Sequence, residues 1–363
     1  MDGASVEDFL KGLPLDAPMA VFAGFGSDNH AGVHPDILKA LEKVNNGYAV
    51  AYGLDEYTTS AVKLFKEVFG QNAEAYLVYN GTAANILGLR SVTDSFHSIF
   101  CAESAHLTVH ECCGPERFIG CKLVNIPTPD GKLTADLITP YLVGIGDPHM
   151  AQPHVISITQ SSEKGTVYRP GEIRKLAEFA HRNRMLLHMD GARLCNAAAF
   201  LDMDLNEISG KTGVDVLSFG GTKNGMMFGD AVVFFNRKFS ENFEYIRKQG
   251  MHLASKMRYI AAQFTTLLSN ELWLRNAQHA NTMAQLLHQE LKEIPELQIT
   301  QKVEANAVFV NIPKKNVPAL HKRYDFHIVD ERTCEARLMC SFSTRKEDVL
   351  EFTRFIRTTV HGK

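Results

Sequence analysis

The sequence has no CxxC pair, and its seven cysteines are an odd number, only Cys112 and Cys113 being adjacent. That usage fits neither a disulfide framework nor a zinc ribbon, so the thiols are expected to be free and no metal site is expected. No apolar run approaches the roughly 18 residues of a membrane span. The opening stretch MDGASVEDFLKGLPLD has neither a basic leader nor an apolar segment behind it, which makes a reducing cytoplasm the expected compartment. Charge of one sign is also scarce. With a net charge of −3 there is no electrostatic reason to expect a nucleic acid or an anionic membrane as partner. Internal repeats and low-complexity stretches are absent. Small molecules are left as the expected ligands.

What is present is a long, ordinary globular chain: 363 residues, 45% hydrophobic and 22% charged, enough for a large core divided between two domains. Pro35 opens PDILKALEKV, where Ile37, Leu38, Leu41 and Val44 recur at helical spacing, and Val62, Phe65 and Phe69 repeat the pattern. Short apolar runs follow at Tyr76 to Tyr79, Ile99 to Ala102, Val155 to Thr159, Met185 to Met189, Val214 to Phe219 and Ala231 to Phe235, with helical segments such as Glu172 to Arg182 between several of them. Buried strands alternating with helices predict an α/β fold whose mostly parallel sheet lies between helices. After about Arg247 the pattern changes to long helices, two strands near Ala307 to Ile312 and Arg337 to Phe342, and a last helix from Lys346. This predicts a large domain over 1–247 with an N-terminal arm, and a smaller α+β domain over 248–363.

Two of those runs end in chemistry. Met185 to Met189 delivers Asp190, in HMDGARL, and Val214 to Phe219 delivers Lys223, in SFGGTKNG. An acid and an amine at adjacent strand ends are what pyridoxal phosphate needs: the amine holds its aldehyde as a Schiff base, and the carboxylate keeps the pyridine nitrogen protonated. Such a cofactor also needs a phosphate site at a glycine-rich turn opening a helix. YNGTAANILGLR supplies one, with Gly81 and Thr82 as phosphate binders and Ser218 and Thr222 as further hydroxyl donors. The plainer reading of NGT is a helix cap built on Asn80 or Thr82. GFGSDN begins like a dinucleotide fingerprint but has Asn29 in place of the third glycine.

These segments, with SDNHAGVHP, AYGLDEYT, AESAH and KGTVYRP, resemble the pyridoxal-phosphate-dependent low-specificity L-threonine aldolases, of fold type I within the β-eliminating lyase group. The resemblance implies that Lys223 is the Schiff-base lysine, Asp190 the partner of the pyridine nitrogen and His106 the ring on the cofactor's face. It implies that Arg193 and Arg337, with Ser27 nearby, hold the substrate carboxylate, Arg193 lying on the cofactor side as well. A homodimer or tetramer with shared active sites is implied, Lys256 and Arg258 reaching a neighbouring subunit's phosphate. The implied reaction is retro-aldol cleavage of a β-hydroxy-α-amino acid to glycine and an aldehyde, with His106 or a water it holds as base. The chain departs from the family at TQSSEKG, where many members carry a second histidine; Ser162 is nearest that position, and Gln160 or Glu163 are the candidates to replace it. β-Elimination, transamination and a non-catalytic binding protein are the other readings.

Overall fold

The computed structural model describes residues 24–362; residues 1–23, with which the expected N-terminal arm begins, and Lys363 lie outside the described residues. Seven strands, β1 (Glu74–Val78), β2 (His97–Ala102), β3 (Lys122–Ile126), β4 (Gln152–Thr159), β5 (Leu186–Gly191), β6 (Val216–Gly220) and β7 (Asp230–Phe234), form one sheet in the order β1-β7-β6-β5-β4-β2-β3. From β3 to β6 all neighbours are parallel, while β7 runs antiparallel to both β6 and β1. Successive residues of each strand feed opposite faces, as a period of two requires. Leu77, Phe100, Ile156, Leu217 and Val233 enter one core, and Val78, Ile99, Val155, Val216 and Val232 the other. Helices must therefore cover both faces, which is why the strands read as unbroken apolar runs. β3 escapes that reading: KLVNI is a half-exposed edge strand whose apolar run is broken by Lys122 and Asn125.

The helix Glu56–Phe69 is started by Asp55, whose carboxylate accepts the Thr58 backbone N–H and hydroxyl, both at 2.8 Å. Its Phe65 meets Phe219 at the end of β6 and Phe264 of the helix Arg258–Leu268, with ring centroids 5.9 and 5.1 Å apart. Edge-to-face aromatic pairs add about 0.5–1.5 kcal/mol each beyond area burial, so the strand end that carries Lys223 is braced from below.

A second sheet, β8 (Gln298–Ile299), β9 (Ala307–Asn311), β10 (His327–Asp330) and β11 (Glu335–Met339), is antiparallel in the order β10-β11-β9-β8. The helices Leu272–Lys292 and Lys346–His361 pack on it around a separate core. The long helix serves both cores: Leu272 and Ala277 enter the first, Met283, Leu287 and Leu291 the second. The change of core therefore falls inside a continuous helix, later than the 247/248 boundary expected from sequence. Phe25 stacks on Phe352 at 4.5 Å, and Met339 donates its N–H to the Phe25 carbonyl at 2.7 Å. The segment Ser27–His30 is thereby held where the two cores meet. Among the described residues no helix is long and apolar enough to cross a membrane.

Candidate active site

Parallel strands place their carboxyl ends together, and the chemistry-bearing residues gather there. Asp190 lies at the end of β5 and Lys223 just past the end of β6. The two loops meet backbone to backbone: a Cβ on Gly220 would stand 2.7 Å from the Cα and carbonyl oxygen of Ala192. That contact requires glycine at position 220 and seats the loop leading to Lys223 against the one that follows Asp190. The Lys223 ammonium has no hydrogen bond or ion pair among the described residues. Burial, reinforced by Arg193, pushes its pKa down against the opposing pull of Asp28, Asp190 and Asp230. The amine is thus biased toward its neutral, nucleophilic form.

Asp190 is 6% exposed. One oxygen accepts the Asn85 side-chain N–H at 2.8 Å and the other the Ala192 backbone N–H at 2.9 Å. Beneath it His188 is fully buried between Ser157 and Ser218, at 2.8 and 3.1 Å. Burial pushes His188 down to about 4, so it stays neutral. Ser218, expected to help bind phosphate, spends its hydroxyl on that imidazole inside the sheet.

At the helix Gly81–Arg90, Asn80 is the cap: its side chain accepts the Ala83 N–H at 2.9 Å. The N–H groups of Gly81 and Thr82 have no acceptor among the described residues. Beside them lies Asp230, which accepts the Gly221 N–H at 3.0 Å, stands 3.4 Å from the Thr222 hydroxyl and would be 3.9 Å from a Cβ on Gly81. Burial raises Asp230 to about 6, the Gly221 N–H and Lys223 holding it back in part. A carboxyl raised in the folded state favours folding most below its unfolded pKa, and that contribution is lost as pH rises through about 6. At about 1.4 kcal/mol per pKa unit, Asp230→Asn is expected to gain on the order of 1–3 kcal/mol over the parent between pH 4 and pH 7. Urea midpoints at both pH values check it; parallel pH slopes for the two proteins would remove Asp230 as the cause.

The expected carboxylate clamp is asymmetric. Arg193 donates Nε and Nη2 to the two oxygens of Asp28 at 2.7 and 2.9 Å, and Asn306 donates to the same carboxylate at 3.1 Å. Burial would raise Asp28, but the charge and hydrogen bonds of Arg193 outweigh it and hold the carboxyl below its ordinary value. Arg337, on β11, donates Nη2 to the Gly26 carbonyl at 3.2 Å, while its Nε is buried with no partner among the described residues. Burial and the nearby Arg193 both push its pKa down, which is the electrostatic setting an incoming carboxylate relieves. Ser27 accepts the Asn29 N–H at 3.1 Å and starts the turn that presents Asp28.

His106 opens a short helix after β2, and its Nδ1 is 2.9 Å from a Glu111 oxygen. Its backbone N–H donates to Glu163 at 2.9 Å, and Thr159 donates its hydroxyl to the same oxygen at 2.7 Å. Of the candidates for the missing histidine, Gln160 has both ends of its amide bound to the Tyr168 backbone, and Ser162 is turned onto Thr166 and the Asp130 carbonyl. Glu163 alone reaches His106. Burial raises the Glu163 pKa, with Asp190 adding to the rise. Arg258 donates to the Gly47 carbonyl at 3.1 Å and Lys256 is exposed, both at the surface.

Sequence reasoning passed over Asp28, Asn85, Glu111 and Asn306. The first two lie inside segments already singled out, SDNH and NGTAAN. Glu111 had no such signal: it follows the short helix His106–Val109, and the chain leaves it through Cys112 and Cys113, both with positive φ, 49° and 56°.

The family described as beta-eliminating lyase matches residues 24–315. A low specificity L-threonine aldolase of Pseudomonas sp. is 42% identical over 337 residues, covering 93% of this chain and 97% of that protein. One of Pseudomonas aeruginosa is 43% identical over 338 residues, covering 92% and 96%. Among solved structures, a threonine aldolase of Leishmania major superposes with a TM-score of 0.88 at 26% identity, over 93% of this chain and 99% of that one. A match that spans both the parallel sheet and most of the second core, in sequence and in backbone alike, means that this chain belongs to the beta-eliminating lyase family.

Proposed function

We propose that the chain is a pyridoxal-phosphate-dependent aldolase that cleaves β-hydroxy-α-amino acids, L-threonine, L-allo-threonine and phenylserine among them, to glycine and an aldehyde. The observation that carries this is the full-length similarity to enzymes named for low-specificity cleavage of L-threonine. The residues fit the cofactor: among the described residues the Lys223 amine, close to the buried carboxylate of Asp190, has no partner, and the Gly81 and Thr82 N–H groups have no acceptor. Pyridoxal phosphate, when bound, supplies the sink for the electron pair of the Cα–Cβ bond.

The chain's own groups divide the rest of the work. Lys223 holds the aldehyde through its neutral amine. Asp190, fixed by Asn85 and Ala192, keeps a pyridine nitrogen protonated. Gly81, Thr82 and Thr222 take the phosphate. Arg337 receives the substrate carboxylate at its unpartnered Nε and so sets which Cα bond is aligned for cleavage. Arg193 holds Asp28 and shapes that pocket from behind. His106 stacks on the ring and accepts the β-hydroxyl proton at Nε2. With Gln160 and Ser162 engaged elsewhere, neither stands in for the family's second histidine, and both β-epimers of threonine are expected to be cleaved. Incubating the purified enzyme and cofactor with each substrate tests the reading. Equimolar glycine and aldehyde are expected; a 2-oxo acid that has lost the hydroxyl, with free ammonia, would replace it by elimination, and a 3-hydroxy-2-oxo acid without ammonia by transamination.

We also infer a homo-oligomer. Tyr48, Val50, Leu54, Tyr245 and Met251 are 63–109% exposed, and their segments are joined by a Tyr52 N–H to Ser255 carbonyl bond of 2.9 Å. An apolar surface of this kind, beside Lys256 and Arg258, favours a second copy over water. Sedimentation is expected to give a dimer or larger that Leu54→Asp dissociates; a parent monomer at micromolar concentration would end this inference.

A further inference from the structure

One hydrogen-bonded line runs from His106 to Asp190. His106 Nδ1 lies 2.9 Å from Glu111 Oε1; the same oxygen accepts one N–H of the Asn85 amide at 2.9 Å, and the other N–H of that amide donates to Asp190 Oδ2 at 2.8 Å. The Glu111 side chain is wholly buried, its Oε2 has no partner among the described residues, and neither has Asn85 Oδ1. The amide cannot be turned round, because its oxygen would then face two carboxylates. A carboxylate at Nδ1 settles the tautomer too: Nδ1 must donate, so Nε2 carries the lone pair. The chain secures this by steric means. A Cβ on Gly114 would come within 2.7 Å of Ile86 Cδ1, so the loop after His106 is seated directly on the helix that bears Asn85.

We infer that Glu111 is a positioning residue for the cleavage reaction, acting through His106, and that Asn85 ties it to the acid at the cofactor nitrogen. This rests on the aldolase reading above. At cleavage the β-hydroxyl O–H breaks and its proton goes to His106 Nε2, and the Cβ–O bond becomes a carbonyl as the Cα–Cβ bond breaks, leaving its electron pair on the glycine side to take a proton at Cα. The positive charge so formed lies on a ring 2.9 Å from a buried carboxylate that has no other cationic partner among the described residues. Return of the proton as glycine forms leaves His106 neutral. The remaining groups facing the ring are Glu163, which grips the backbone N–H at 2.9 Å, and His110, with ring centroids 5.6 Å apart. Neither reaches Nδ1. The arrangement follows the logic of an oriented base, with a third group fixing tautomer and charge.

The test begins without turnover. In the 15N-histidine-labelled protein, with His106 assigned by the signal lost in His106→Asn, a protonated Nδ1 and an unprotonated Nε2 are expected, changing to a mixture of tautomers in Glu111→Gln. The opposite tautomer in the parent overturns the inference whatever the substrate proves to be, and does not depend on Glu111→Gln folding. In the holoenzyme, Glu111→Gln is expected to lower kcat for phenylserine about 100-fold, with KM within threefold and the cofactor absorption band retained. In a His106→Asn background the same change is expected to cost less than threefold, because two residues that act as a unit do not add. Additive losses, or a KM effect alone, would overturn it. Absence of aldehyde from the parent enzyme would instead reject the aldolase reading and leave the tautomer result standing.

Discussion

Lys223→Ala is expected to reduce aldehyde formation by at least about 10³-fold and to abolish the visible-edge absorption band of the holoenzyme, while the protein stays folded. The first two effects follow from where the amine stands. It is the one lysine brought to the strand ends beside Asp190, and burial together with Arg193 biases it toward the neutral form that attacks an aldehyde. Folding should survive because the amine makes no hydrogen bond or ion pair among the described residues, and its removal leaves no partner unsatisfied. The turn that carries it is held by other groups, Asn224 donating to the Trp273 carbonyl at 3.0 Å and Asn276 to the Asn224 carbonyl at 2.9 Å. Absorption spectra, aldehyde assays and thermal midpoints on one preparation separate these expectations. Activity within tenfold of the parent would show that another group holds the cofactor, and the assignment of the site would fall with it.

Much of the fold was legible because buried parallel strands must be apolar on both faces. The runs ending at Asp190 and before Lys223 correspond to β5 and β6, adjacent in the sheet with Asp190 opposite Ser218. The strand ends expected to carry Asp190 and Lys223 are thus the ends at which they lie. β3 was not legible, since an edge strand buries only part of each residue and KLVNI looks like loop. The junction of the two cores was hidden for a different reason. A helix of 21 residues that changes partners midway keeps its apolar periodicity throughout, and nothing in composition marks the change. The polar partners of the site were harder still. Ser218 was placed among the phosphate donors because it sits near the lysine, but a strand residue paired opposite Asp190 faces into the layer, where His188 claims it. Glu111 follows the short helix that His106 opens and returns to the His106 ring at 2.9 Å, a fold-back that no motif in that stretch announces.

The two arginines read alike in sequence and are expected to respond differently to removal. Arg337→Ala should raise KM for phenylserine roughly 30- to 150-fold, the loss of one charge-assisted hydrogen-bonded contact of about 2–3 kcal/mol. The cofactor band and the thermal midpoint should stay near the parent's, because the only bond given up is the one at 3.2 Å to the Gly26 carbonyl. Arg193→Ala should act first on stability. Asp28, 2% exposed, would be left with a single side-chain hydrogen bond, from Asn306, and no ion-pair partner among the described residues. Breaking one side of a buried ion pair costs about 3–5 kcal/mol, enough to lower the thermal midpoint by several degrees in a chain of this size. Combining it with Asp28→Asn removes the stranded charge and should restore much of the loss, a rescue that a residue serving only the substrate would not give. If instead Arg193→Ala raises KM with the midpoint unmoved, Arg193 binds the substrate directly and its bond to Asp28 yields when the carboxylate arrives.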